Sequence, residues 1–166
     1  MKDKIFIDTN VLIYIHLFDE ESRDKRKALQ HLLHRRIDVE LIINVQVINE
    51  FYNVLLWKNI EDNVIQEKIH SQLKICSSSE LSLKTVFSAW KLREKYKYSY
   101  WDSLILASAL ENNFAIIYSE DMQHGQIIED RLTIVNPFRE EAWTHARLHC
   151  FQILSTGVCG FIPVMF

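Results

Sequence analysis

Lys4-Ile5-Phe6-Ile7-Asp8-Thr9-Asn10 is the stretch whose reading decides the fold. Its apolar residues run without polar alternation, the pattern of a strand covered on both faces in a parallel sheet. Asp8 ends that strand, and residues 9–17 after it are apolar almost all round and read as a helix. Working outward, residues 39–45 repeat the buried-strand pattern, 115–118 give a third strand and 131–135 a fourth. Helical patterns fill the intervals. One spans 19–36, with Ala28, Leu29, Leu32 and Leu33 on its apolar stripe, and others span 46–57 and 61–76. Ser77-Ser78-Ser79 breaks the pattern; helix resumes over 83–96 and again over 101–112, stopping at Asn112-Asn113. Strands alternating with helices imply βαβ units, right-handed crossovers and a mainly parallel sheet. No internal repeat is present.

The 166 residues are 48% apolar and 25% charged, with 19 Lys plus Arg against 22 Asp plus Glu and a formal net charge of −3. That balance fits one globular domain with a full core and excludes intrinsic disorder, collagen and coiled coil. It also argues against a generally cationic nucleic-acid binder, so nucleic acid would have to engage local basic patches or metal ions. Cys76, Cys150 and Cys159 are odd in number and contain no C-x-x-C pair. This speaks against a disulfide framework or thiolate zinc site and points to a reducing cytoplasm. The first residues show no secretory h-region. The uncharged run over 148–166 is broken by Gln152, Gly157, Gly160 and Pro163 and is short for a membrane span, so no membrane association is expected.

Four acids stand where folding alone would not put them. Asp8 terminates the first strand, Glu50 interrupts the apolar helix Val45-Gln46-Val47-Ile48-Asn49-Glu50-Phe51, Asp102 opens the apolar helix Trp101-Asp102-Ser103-Leu104-Ile105, and Asp121 follows the third strand by three residues. Ligands of open parallel sheets bind outside the carboxyl ends of the strands, where Asp8 and Asp121 lie. Gln46, Glu50 and Asn53 share one helix face, a polar seam on an otherwise greasy helix. Asp102 shares its face with Ile105, Leu106 and Ala109 and is expected to point inward. Singly, each acid has an ordinary explanation as a turn residue, helix cap or solvated side chain. Together at one sheet end they would repel unless a cation offsets them. Hard oxygen ligands without paired His or Cys select Mg²⁺ or Mn²⁺.

Ile7-Asp8-Thr9-Asn10-Val11-Leu12, Val45-Gln46-Val47-Ile48-Asn49-Glu50-Phe51-Tyr52, Tyr100-Trp101-Asp102-Ser103-Leu104-Ile105 and Ser119-Glu120-Asp121-Met122 resemble, in order and spacing, the acidic motifs of PIN-domain ribonucleases. The resemblance runs from about residue 4 to residue 138, closes on Ile134-Val135-Asn136-Pro137-Phe138, and is nearest to the VapC-type toxins of toxin–antitoxin pairs. It implies a three-layer α/β/α sandwich and Mg²⁺- or Mn²⁺-dependent endoribonuclease activity leaving a 5′-phosphate and a 3′-hydroxyl. By the same resemblance, Asp8, Glu50, Asp102 and Asp121 would be the catalytic and metal-holding carboxylates, with Asn10 and Ser119 in support. Glu120, adjacent to Asp121, could face the metal instead. The implied partners are an RNA substrate, an antitoxin and a second copy of the chain. The apolar helices at 9–17 and 46–57, greasier than one core face needs, are in keeping with association. The chain thus reads as a nuclease domain over residues 1–141 with an extension over 142–166 of unassigned role.

Two other readings compete. A phosphohydrolase with Asp8 as covalent nucleophile would want a second Asp two residues on, where Asn10 stands. A non-catalytic RNA-binding scaffold would be expected to have lost some of the acids, and all four remain. Two basic clusters, one with Arg23, Lys25, Arg26, Lys27, Arg35 and Arg36 and one with Lys91, Arg93, Lys95 and Lys97, are either solvated helix faces or phosphate-tracking patches. Tyr96, Tyr98 and Tyr100 could stack unpaired bases or belong to the core. His31 and His34 read as a surface helix pair, and His124 as a loop residue, with contact to substrate as the lesser alternative.

Overall fold

The computed structural model describes residues 3–16, 20, 22–34 and 39–139. Their elements are β1 (Asp3–Ile7), α1 (Thr9–His16), α2 (Arg23–His34), β2 (Val39–Asn44), α3 (Val45–Trp57), α4 (Asp62–Leu73), β3 (Ser77–Ser79), α5 (Leu83–Tyr96), α6 (Tyr100–Glu111), β4 (Ile116–Tyr118), β5 (Ile127–Ile128) and β6 (Leu132–Val135). The extension over 142–166, the apolar run within it, and Arg35 and Arg36 of the first basic cluster lie outside the described residues.

The strands form one sheet in the order β3-β2-β1-β4-β6-β5, parallel throughout except for the antiparallel β5–β6 pair. This is the expected α/β sheet, flanked by helices and larger by two strands than the sequence suggests. Ser77–Ser79 is not a break but an edge strand paired to β2, with Ile42 opposite Ser77. Its residues carry no strand signal because backbone pairing alone recruits them. Ile127–Ile128 is too short to leave any periodicity.

The central strands read as they fold. Ile5, Phe6 and Ile7 of β1, Ile117 and Tyr118 of β4, and Leu132 and Ile134 of β6 are all buried, as strands covered on both faces must be. From β1 the chain steps outward through β2 to β3, then returns over α5 and α6 to place β4 on the other side of β1. With right-handed crossovers, that reversal puts α1–α4 on one face and α5–α6 on the other. The packing agrees: α1 meets α2 and α3, α3 meets α4, and α5 meets α6. The reversal also makes the gap beyond the carboxyl ends of β1 and β4 the topological switch point, where the two strand ends diverge into helices of opposite faces.

Among the described residues no helix is long and apolar enough to cross a membrane.

Candidate active site

Each acid singled out from the sequence is delivered to the switch point by a local structural reason. Asp8 follows β1 directly. Its backbone N–H donates to Tyr118 O of β4 (3.0 Å) and its carbonyl accepts from Leu12 N (3.1 Å), which stitches the carboxyl end of the sheet to the first turn of α1. Its side chain is 4% exposed and fully engaged: Thr9 N donates to Oδ1 at 2.6 Å and Ser119 Oγ to Oδ2 at 2.6 Å. Ser119, the first residue after β4, is buried and meets Asp8 across the switch point.

Glu50 arrives through α3, which starts without a loop because Asn44 both ends β2 and caps the helix, accepting from Val47 N at 2.9 Å. Val47, Phe51 and Leu55 bury one stripe of α3 in the core. Gln46, one residue earlier, sits about 100° around the helix and begins the polar seam with Glu50 and Asn53. Glu50 is held at both oxygens, by Thr9 Oγ1 at 2.5 Å and by Gln46 Nε2 at 2.8 Å. The same Gln46 nitrogen reaches Trp101 O at 3.1 Å and so couples α3 to α6. Gln46 Oε1 stays buried without a partner among the described residues.

Asp102 lies in the first turn of α6, whose cap Ser99 accepts from Asp102 N at 3.1 Å and donates to Asp102 Oδ2 at 2.7 Å. From Ser103 to Leu110 this helix is buried on every side, so the sequence pattern could not separate a core face from a site face. Asp102 itself is half-buried and lines the groove rather than the core. Asp121 is exposed and accepts from Asn10 Nδ2. Glu120, the neighbouring acid, is outside the groove lining and is held by Lys25, whose ammonium binds Glu120 Oε1 at 2.5 Å and Tyr14 OH at 2.8 Å.

Asp8, Asn10, Glu50, Asp102 and Asp121 share one open groove of about 540 Å³ with Thr9, Asn53, Val54, Trp57, Trp101 and Ile105. Among the described residues its lining holds no lysine, arginine or histidine. No three acidic, imidazole or thiol groups among those residues already converge as a finished metal cage. The acids stand on the walls of a groove instead, and the electrostatics record it. Burial pushes the Asp8 carboxyl up to about 7, against the lowering effect of its two donors, and the Asp102 and Glu50 carboxylates add to the rise. An all-oxygen donor set whose charges oppose one another is chemically fit for a hard divalent cation.

A profile of the PIN domain family matches residues 5–129. The chain belongs to the PIN domain family. Solved structures share its fold at low identity. A toxin–antitoxin complex from Klebsiella pneumoniae aligns at TM-score 0.59 and 18% identity, covering 80% of this chain and 97% of its own. The sarcin–ricin-loop-cleaving toxin VapC20 of Mycobacterium tuberculosis aligns at 0.57 and 16%, covering 70% and 89%. VapBC2 of Rickettsia felis, bound to a promoter DNA fragment, aligns at 0.57 and 18%, covering 79% and 98%. No curated protein sequence matches the chain.

Several residues of this PIN domain escaped the sequence reading or were read differently. Thr9 and Ser99 hold Glu50 and Asp102, yet a Thr after an Asp and a Ser before a helix look like ordinary capping. Trp57 and Trp101 line the groove, although their sequence context shows only helix. The tyrosines are used structurally: Tyr96 OH accepts from Glu129 N at 3.0 Å, Tyr98 OH accepts from Gln123 N at 3.1 Å, and Tyr100 packs against the core. His124 Nδ1 accepts from Asn136 N at 3.0 Å, and Asn136 Nδ2 donates in turn to Glu120 O at 3.3 Å.

Proposed function

We propose that this PIN domain is a divalent-metal-dependent endoribonuclease, hydrolysing RNA phosphodiester bonds, and the toxin of a cytoplasmic toxin–antitoxin pair. The observation that carries the reading is the groove at the switch point, walled by four carboxylates with no basic side chain in its described lining. An RNA-binding scaffold would be expected to present cations to phosphate, whereas an acidic groove accepts phosphate only together with metal ions. Asp8, Glu50, Asp102 and Asp121 would hold the Mg²⁺ or Mn²⁺. The ion supplies neutralisation of the phosphate under attack and acidification of water at neutral pH. Asn10 keeps Asp121 turned to the groove, Ser119 and Thr9 fix the Asp8 carboxylate, and Gln46 and Ser99 hold Glu50 and Asp102 in place.

The toxin assignment draws on the fold shared with toxin–antitoxin structures. An antitoxin and a second copy of the chain are accordingly the proposed protein partners, and residues 142–166 are an extension to a nuclease domain over 1–141.

The test is incubation of purified full-length protein with structured RNAs in Mg²⁺, in Mn²⁺ and in excess EDTA, with the product ends mapped. Cleavage in metal, none in EDTA, and 5′-phosphate products are expected. Equal cleavage in chelator by a nuclease-free preparation would end the metal mechanism.

A further inference from the structure

We infer that Lys25 is a positioning residue for the carboxylate groove: it holds Glu120 out of the groove and so reserves that place for Asp121. The inference rests on the divalent-metal reading of the groove and adds the group that decides which of two adjacent acids serves. Glu120 and Asp121 are the only acids between β4 and β5, side by side in the loop that leaves the switch point. A carboxylate one residue from a metal-holding carboxylate is a rival for the same hard cation, and the structure keeps the two apart.

The separation starts on α2. Lys25, Leu29 and Leu32 recur at spacings of four and three, so Lys25 stands on the stripe that buries both leucines. Arg23 and Lys27 of the same basic cluster are exposed, whereas the Lys25 ammonium meets Glu120 Oε1 at 2.5 Å and Tyr14 OH at 2.8 Å. It also lies over two rings, 4.2 Å from the centre of Tyr14 and 5.4 Å from that of Phe138, which pack edge to face at 5.3 Å. The Lys25 and Glu120 side chains are only 33% and 24% exposed, so the pair escapes much of the screening that weakens surface ion pairs. Burial pulls the ammonium down, but its bonds to Glu120 and Tyr14 outweigh that and hold it above the usual lysine range.

The sorting is done by α1. Asn10 and Tyr14 are four residues apart and share one face of this helix. Asn10 Nδ2 donates to Asp121 Oδ2, while Tyr14 OH accepts from the Lys25 ammonium that holds Glu120. One helical turn therefore directs Asp121 to the groove and Glu120 to the cation. The backbone between them is fixed independently, since Ser119 and Met122 are buried and Glu120 O accepts from Asn136 Nδ2 at 3.3 Å. What the ion pair adds is the direction of the Glu120 side chain.

The test compares full-length variants by Mn²⁺ titration, read from the free-ion electron paramagnetic resonance signal, and by RNA cleavage. Lys25→Met keeps the apolar stem and removes the charge. It should tighten Mn²⁺ binding about threefold or more, because a further carboxylate is freed. It should lower kcat about tenfold with KM little changed, because the donor set is no longer the one Asp121 completes. Adding Glu120→Gln should restore both values, and Glu120→Gln alone should match the wild type. Lys25→Arg should keep them as well, as should Lys27→Met, which removes the same charge from the exposed face of α2. If Lys25→Met does not fold, Lys25→Gln carries the test. A pair that only braced the loop would make Lys25→Met and Glu120→Gln equally damaging and the double variant no better. That outcome overturns the proposal, as does unchanged Mn²⁺ affinity in Lys25→Met. If only the nuclease reading fails, no RNA is cut and the Mn²⁺ affinities keep this order.

Discussion

Two cavities of similar size sit at opposite ends of the sheet and handle charge in opposite ways. The switch-point groove, about 540 Å³, is walled by Asp8, Glu50, Asp102 and Asp121. The second, about 450 Å³, lies between α5 and α6 at the other end and mixes Lys84, Lys91 and Arg131 with Glu111 and Glu129. There the charges find partners: Glu129 meets the Lys95 ammonium at 2.8 Å, Glu111 accepts from Thr85 at 2.6 Å, and Arg131 donates to Asn113 at 3.0 Å. The pKa directions are correspondingly opposite. The Lys95 hydrogen bond holds Glu129 below the usual carboxylate range, while burial and neighbouring acids push Asp8 to about 7. The second cavity mixes both signs of charge, whereas the charges of the groove are all of one sign and oppose one another.

The largest effect that can break this contrast is on catalysis. Asp8→Asn or Asp102→Asn should lower the RNA cleavage rate by about 10²-fold or more, since a metal ion contributes several kcal/mol of transition-state stabilisation. Glu111→Gln, at the other end, should leave the rate unchanged, with a stability cost of about 1 kcal/mol for a weakened hydrogen bond. Single-turnover cleavage assays and thermal melts of the same preparations make the comparison. Equal rate losses at both ends would remove the distinction.

A smaller effect sharpens it through pH. Because the native state keeps Asp8 protonated to about 7 and the unfolded chain only to about 4, the fold binds the extra proton between those values. Stability of the metal-free protein should therefore fall as pH rises through that window, by an amount on the order of 4 kcal/mol, and level off above it. The Glu129 contribution has the opposite sign: it is present above the unfolded carboxylate value and is lost as pH falls through the lower native one. Saturating Mn²⁺ should raise the melting temperature most at the high-pH end, where Asp8 must otherwise carry an uncompensated charge. Asp8→Asn should flatten the metal-free slope and abolish the Mn²⁺ shift. Melts across pH with chelator and with Mn²⁺ read both, and a wild-type slope of the opposite sign would show the groove carboxylates to be already compensated.

The same contrast explains what the sequence displayed. Ile5-Phe6-Ile7-Asp8 announces a strand and its terminal acid because burial on both faces forces an unbroken apolar run, and an acid after such a run needs a reason. Glu50 stands out for the same cause, breaking a stripe that otherwise packs Phe51 and Leu55 into the core. The supporting residues stay hidden because their signals are generic. Ser99 looks like any helix cap, and Gln46 acquires its meaning only when α6 places Trp101 O within 3.1 Å of it. Ser77–Ser79 becomes a strand through backbone pairing that no side-chain pattern encodes. The tyrosines and tryptophans were separable only by exposure: Tyr96 and Tyr98 are spent on backbone hydrogen bonds, whereas Trp57 and Trp101 remain open in the groove.

The smallest expected effect concerns residues 142–166. The described chain stays docked past β6: Asn136 accepts from Phe138 N at 2.9 Å and donates to Glu120 O at 3.3 Å, and the Phe138 ring meets Tyr14 edge-on at 5.3 Å. Those contacts close the sheet end that carries Asp121, and every described residue of the groove and its support precedes residue 140. A chain ending at Glu141 should therefore keep its stability within about 1 kcal/mol of the full protein, the size of an ordinary single substitution, and should keep its RNA cleavage. Apolar side chains beyond that point, such as Phe151, Ile153 and Leu154, would each cost about 1.5–3 kcal/mol if they were packed into the core. Denaturant melts of the two chains separate the cases, because a truncated protein that is insoluble or loses several kcal/mol would make the extension part of the domain.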